Sequence, residues 1–154
     1  MPSTSSTSAV RLTARQRPLR AARTCYDHLA GVLGVAVTEA LVSRQALLID
    51  EGGFQLGPAA EPTFGSLGLE LPGQLTRRAS RPLLRSCLDW TEKRPHLAGR
   101  LGAAVAAAML QAGWLVRPAT DRSVAVTDLG RQRLANTLGL ELPAAVLRRE
   151  LTSR

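Results

Sequence analysis

Aromatic side chains are scarce in this chain: Tyr26, Phe54, Phe64, Trp90 and Trp114 are all it has. Its core must therefore be built from Leu, Val and Ala, and the 45% apolar content is enough to build one. Lysine is nearly missing too. Lys93 is the only one among 20 basic residues, and the other 19 are Arg. There are two cysteines, Cys25 and Cys87, far apart, which suits a reducing compartment better than a disulfide scaffold. No apolar run approaches the length that spans a bilayer, so no membrane partner is expected. Met1-Pro2-Ser3-Thr4-Ser5 lacks a charged segment followed by an apolar one, so the sequence predicts no signal peptide and a cytoplasmic location. A phosphate-binding glycine loop, a nucleophile elbow and a pair of acids with clear geometry are all missing, which argues against an enzyme.

What the chain does contain, it contains twice. His28-Leu29-Ala30-Gly31-Val32-Leu33-Gly34 is matched by His96-Leu97-Ala98-Gly99-Arg100-Leu101-Gly102. Each copy ends in Leu-Gly-Leu-Glu-Leu, at Leu67 to Leu71 and at Leu138 to Leu142. The period of about 70 residues is longer than a solenoid unit and suits two tandem copies of a small domain. Leu-Ala-x-x-Leu-Gly before an apolar helix fits a helix-turn-helix, with Gly34 and Gly102 as the turn glycines. The first helices are then Leu19 to Asp27 and Pro82 to Trp90. The short second helix of the later copy is Leu97 to Leu101. The third helices are Val35 to Arg44 and Ala103 to Gln111, the latter closed by Gly113.

Hairpins follow: Ala46 to Ile49 with Phe54 to Leu56, and Trp114 to Val116 with Ser123 to Thr127. Tail helices cover Glu61 to Leu67 and Leu129 to Leu138. The predicted fold is mainly α with small β-hairpin wings (α+β): two winged-helix-like repeats packed as a pseudo-dimer, third helix against third helix. The boundaries are a disordered tail at 1–10, repeats at 11–72 and 73–142, and a C-terminal helix or tail at 143–154.

Arg23-Thr24-Cys25-Tyr26-Asp27-His28-Leu29-Ala30-Gly31 and Cys87-Leu88-Asp89-Trp90-Thr91-Glu92-Lys93-Arg94-Pro95-His96-Leu97-Ala98-Gly99 carry a family likeness. The chain from about Arg11 to Leu142 resembles the C-terminal half of a subgroup of ArsR-type bacterial transcriptional regulators. The resemblance implies a regulator whose winged-helix DNA reader lies N-terminal to this part. Too few residues precede the Cys25 motif to form such a domain. The expected function is therefore transcription regulation through a sensing or dimerisation module, with residual DNA binding at most. The alternatives are a stand-alone module that modulates full-length regulators, and a metal- or thiol-sensing domain.

The third helices support that emphasis. Base reading needs polar or basic side chains on the inserted helix. Ala103 to Leu110 offers none, and Val35 to Arg44 offers Glu39 and a terminal Arg44. The net charge of +8 still points to DNA as a candidate partner, through Arg11, Arg15, Arg17 and Arg20 before one cysteine and Arg77, Arg78 and Arg81 before the other. A solvated helix face and a bias toward GC-rich codons account for the same arginines. A second copy of the chain or a full-length regulator is the other candidate partner.

Each copy also carries Cys-x-Asp and a histidine before Leu-Ala-Gly. Cys25 and His28 are three apart, on one face if helical. If a pseudo-twofold relates the copies, Cys25, His28, Cys87 and His96 converge into a two-Cys, two-His set suited to zinc or another soft cation, although the spacing matches no standard zinc signature. The plainer reading makes the cysteines small buried residues and the histidines turn hydrogen bonders, with Asp27 and Asp89 paired to arginines. Trp90 and Trp114 are either core or the lining of a small-molecule pocket.

Overall fold

The computed structural model describes residues 20–71, 80–117, 121–143 and residue 146. In chain order the elements are β1 (Arg23–Cys25), β2 (His28–Ala30), α1 (Gly31–Ser43), β3 (Leu47–Asp50), β4 (Gly53–Leu56) and α2 (Ala60–Ser66). They continue with β5 (Arg85–Leu88), β6 (Pro95–Ala98), α3 (Gly99–Gln111), β7 (Leu115–Val116), β8 (Ala125–Val126) and α4 (Asp128–Leu138). The class is mixed α+β: helices joined by antiparallel two-stranded hairpins, β1-β2, β3-β4, β5-β6 and β7-β8. The order hairpin, helix, hairpin, helix occurs twice.

The wings and tail helices lie close to where the sequence places them. The leading helices do not. Within Leu19 to Asp27 the chain is strand β1 from Arg23, and within Pro82 to Trp90 it is strand β5. Leu97 and Ala98 belong to β6, and no separate short helix follows them. The reason lies in the Leu-Ala-Gly motif. Gly31 and Gly99 sit at φ +73° and +76°, a conformation that L side chains rarely adopt. The chain turns there, so the residues before the glycine stay extended: Ala30 at φ −140° and Ala98 at φ −125°. The helices start at the glycines, earlier than the sequence suggests.

Gly34 and Gly102 are therefore not turn glycines but second-turn residues inside α1 and α3. A Cβ at Gly34 would collide with the Leu29 carbonyl, and one at Gly102 would lie 2.7 Å from the Leu97 oxygen. These glycines let each helix lie directly on the strand that feeds it.

The two halves interlock. Helix α1 packs on β6 and α3 on β2, so each central helix covers the other half's hairpin. Strands β2 and β6 also touch. Residues of both central helices, Gly34 and Val37 of α1 and Gly102 and Val105 of α3, line one small cavity. Thr38 on α1 donates to the Gly34 carbonyl at 2.8 Å and accepts from the Leu97 amide at 2.8 Å. The free edge of β1 pairs with the second half, through Thr24 N–H to the Arg122 carbonyl and Val124 N–H to the Ala22 carbonyl. One apolar cluster runs through both halves, with Leu33, Leu41, Leu47 and Phe64 buried alongside Leu101, Met109, Leu115 and Leu134.

The boundary expected near residue 72 and the tail at 1–10 lie outside the described residues, as does most of the segment 143–154. No helix among the described residues is long and apolar enough to cross a membrane.

Candidate metal centre

Cys25 and His28 are not on one helix face. They are directly opposed residues of the β1-β2 hairpin, joined by the two-residue turn Tyr26-Asp27, with Tyr26 at φ +60°. Cys87 and His96 are the corresponding pair of β5-β6. Directly opposed residues project from the same face of a hairpin, so each hairpin presents one thiol and one imidazole side by side. The contact of β2 with β6 brings the two faces together. One ligand atom from each of Cys25, His28, Cys87 and His96 lies within 4.8 Å of all the others.

The histidines are buried and the cysteines half-buried. The Nε2 atoms of His28 and His96 stand 2.9 Å apart. Behind them, Nδ1 of His96 is 3.1 Å from Asp89 Oδ2, and Nδ1 of His28 is 3.4 Å from Asp27 Oδ1. An ionised carboxylate only accepts, so Nδ1 is the donor in each of these contacts, and the two Nε2 atoms face each other. Two ring nitrogens at that separation need positive charge between them, a proton or a metal ion.

Asp89 is the anchor of the site. It is fully buried, and its Oδ1 accepts from the Arg23 guanidinium at 3.0 Å, from the Thr91 amide at 3.0 Å and hydroxyl at 2.7 Å, and from the Glu92 amide at 3.1 Å. Its Oδ2 accepts from the Gly31 amide at 2.6 Å, at the N-terminus of α1. Burial pushes the Asp89 carboxyl up. The hydrogen bonds from His96, Thr91, Gly31 and Glu92 outweigh it and hold the group well below the usual carboxylate range. Asp89 therefore ties its own loop to β1 and α1 of the other half while orienting His96.

Asp27 does the same for His28 from a more exposed turn, paired to Arg81 at 2.7 Å. Burial raises the Asp27 carboxyl, and Arg81 and His28 bring it below its ordinary value. Burial lowers the His28 imidazole, and the neighbouring His96 lowers it further. Burial pushes the Cys87 thiol up, and Cys25 pushes it further, as expected of two thiols sharing a space without a cation.

The basic residues named from the sequence divide. Arg11, Arg15, Arg17, Arg77 and Arg78 lie outside the described residues. Arg20 pairs with Glu92 at 3.1 Å, and Arg81 pairs with Asp27 and lies 5.6 Å from the Tyr26 ring centre. The arginine that matters most to the site, Arg23, is buried and pairs with Asp89, one of the two Cys-x-Asp aspartates expected to pair with arginines. Trp114 is core. Trp90 is not core: it is exposed, with the Arg23 guanidinium 4.8 Å from its ring centre.

On the central helices, α1 exposes Glu39 and Ser43, and Glu39 pairs with Arg94 of the other half at 2.8 Å. Helix α3 exposes Ala107 and Gln111.

The chain is similar to a helix-turn-helix regulator. That relative, from Bacillus subtilis (strain 168), is named "Uncharacterized HTH-type transcriptional regulator YdfF" and is 35% identical over 127 residues. The matched region is 82% of this chain and 55% of the relative, so the chain spans about half the length of the curated protein it matches. No protein-family model matches the chain, and no solved structure does.

Proposed function

We propose that this chain is a regulatory module of a transcription regulator of ArsR-like descent, built from two tandem repeats packed as a pseudo-dimer at 11–72 and 73–142. It acts through sensing or dimerisation rather than by reading bases itself. The observation that carries this reading is the match to YdfF, a protein named as a transcriptional regulator, over 82% of the chain.

Three structural features support the finer points. The twice-repeated element order and the matching Cys–His pairs are what a duplicated unit would give. The central helices pack on the opposite hairpins, which leaves them poorly placed to enter a major groove. Their exposed residues are Glu39, Ser43, Ala107 and Gln111, none of them basic, and Glu39 is paired to Arg94.

A mobility-shift series against DNA from the promoter region of its own gene, across increasing salt, tests the reading. The expected result is weak binding through the arginines that collapses with salt and shows no preference over unrelated DNA. A shift that keeps its sequence preference at physiological salt would assign base reading to this chain and overturn the proposal.

A further inference from the structure

We propose that Cys25, His28, Cys87 and His96 bind one zinc ion, which clamps the β1-β2 hairpin to the β5-β6 hairpin. The site is independent of the regulatory reading, because it stands on side-chain geometry alone.

Two thiolates and two imidazoles are a donor set that zinc takes in closed tetrahedral sites. Bond lengths of about 2.3 Å to sulfur and about 2.0 Å to nitrogen put neighbouring ligand atoms about 3.3–3.8 Å apart in such a site. The two Nε2 atoms are 2.9 Å apart, and the four ligand atoms all lie within 4.8 Å of one another. Small side-chain shifts convert one arrangement into the other.

The supporting shell is also in place. Both imidazoles turn Nδ1 to a carboxylate and aim Nε2 inward, the arrangement that fixes tautomer and orientation in histidine-ligated zinc. Charge balances as well: a divalent ion offsets two thiolates, while Asp89 is offset by Arg23 and Asp27 by Arg81. All four positions are filled by protein atoms, so the ion would have a structural or sensing role and no open position for a substrate. Because one Cys–His pair comes from each hairpin, loading the site would tighten the joint between the halves.

The test uses the untagged 154-residue chain, purified under reducing conditions and analysed for metal content. After zinc is added and excess removed by a weak chelator, about one zinc per chain is expected. Cobalt(II) in its place is expected to give thiolate charge-transfer absorption and the intense visible bands of a tetrahedral ion. Cys25→Ser with Cys87→Ser is expected to bind zinc at least a hundredfold more weakly. Asp27→Asn, which removes the carboxylate behind His28 and its exposed pair with Arg81, is expected to weaken binding about tenfold while leaving far-ultraviolet circular dichroism unchanged.

Three results would overturn the proposal: wild-type protein that holds no zinc under these conditions; a wild type whose affinity matches that of the double serine variant; or a reduced preparation whose intact mass and peptide map show a Cys25–Cys87 disulfide in place of metal. If the double variant fails to fold, the Asp27→Asn affinity and the cobalt spectrum of the wild type decide alone.

Discussion

Asp89 carries more of this structure than any other polar side chain among the described residues. It is fully buried and serves a guanidinium, three backbone amides, a hydroxyl and an imidazole. Removing it takes the carboxylate partner from the buried Arg23 and the acceptor from the Gly31 amide. Breaking one partner of such a buried pair costs about 3–5 kcal/mol. Asp89→Ala is therefore expected to lower unfolding stability by about that amount in a denaturant titration. Asp27 holds the equivalent place in the other hairpin, but its partner Arg81 is solvent-exposed and screened. Asp27→Asn is expected to leave the denaturation midpoint nearly unchanged. Equal loss in the two variants would mean that the Asp89 network is not the anchor described.

Among the elements, glycines set the architecture. Gly31 and Gly99 turn each strand into a helix, and Gly34 and Gly102 let that helix lie on the strand. Gly34→Ala places a methyl group against the Leu29 carbonyl and is expected to cost about 1–3 kcal/mol, the range for overpacking. A Cβ at Gly65 in α2 would meet nothing within 4 Å, and the residue is not at positive φ. Gly65→Ala is therefore expected to stabilise by about 0.4–1 kcal/mol. Thermal melts of the two variants should move in opposite directions, and a shared direction would contradict the assignment.

The same glycines explain what could and could not be read in advance. The wings were legible because Asp50-Glu51-Gly52-Gly53 and the alternation at Val124 and Val126 are local signals. Helix α4 was legible with Asp128 as its start signal; in the structure Thr127 caps it by accepting from Gly130, and Gly139 closes it at φ +63°. The leading hairpins were not. His-Leu-Ala-Gly suits a short helix and a short strand equally well by pattern. The choice depends on the positive φ of the glycine and on residues far away in sequence: Asp89 accepts from the Gly31 amide, and the Pro82 and Leu83 carbonyls leave no room for a Cβ at Gly99. The Cys, His and Asp constellation was visible from repetition alone. Its geometry was not, because Cys25 and His28 meet across a turn and not along a helix.

Across the whole molecule, the halves are joined by exchange: each central helix covers the other half's hairpin. Thr38 is the polar pin of that exchange, accepting the Leu97 amide across the joint. Thr38→Val keeps shape but strands a buried N–H, for an expected loss of about 1–3 kcal/mol. Because one apolar cluster spans both halves, the loss should appear as a shift of a single unfolding transition. Two separate transitions, with only one affected, would show that the halves fold apart.

Two Cys–His pairs, one from each half, meet around a single point at the centre of that joint. X-ray absorption at the zinc edge of the loaded protein examines that point directly. The expected first shell is two sulfur atoms at about 2.3 Å and two nitrogen atoms at about 2.0 Å. A shell of oxygen and nitrogen without sulfur would contradict it, because the ion would then lie elsewhere on the surface and the two hairpins would share no metal.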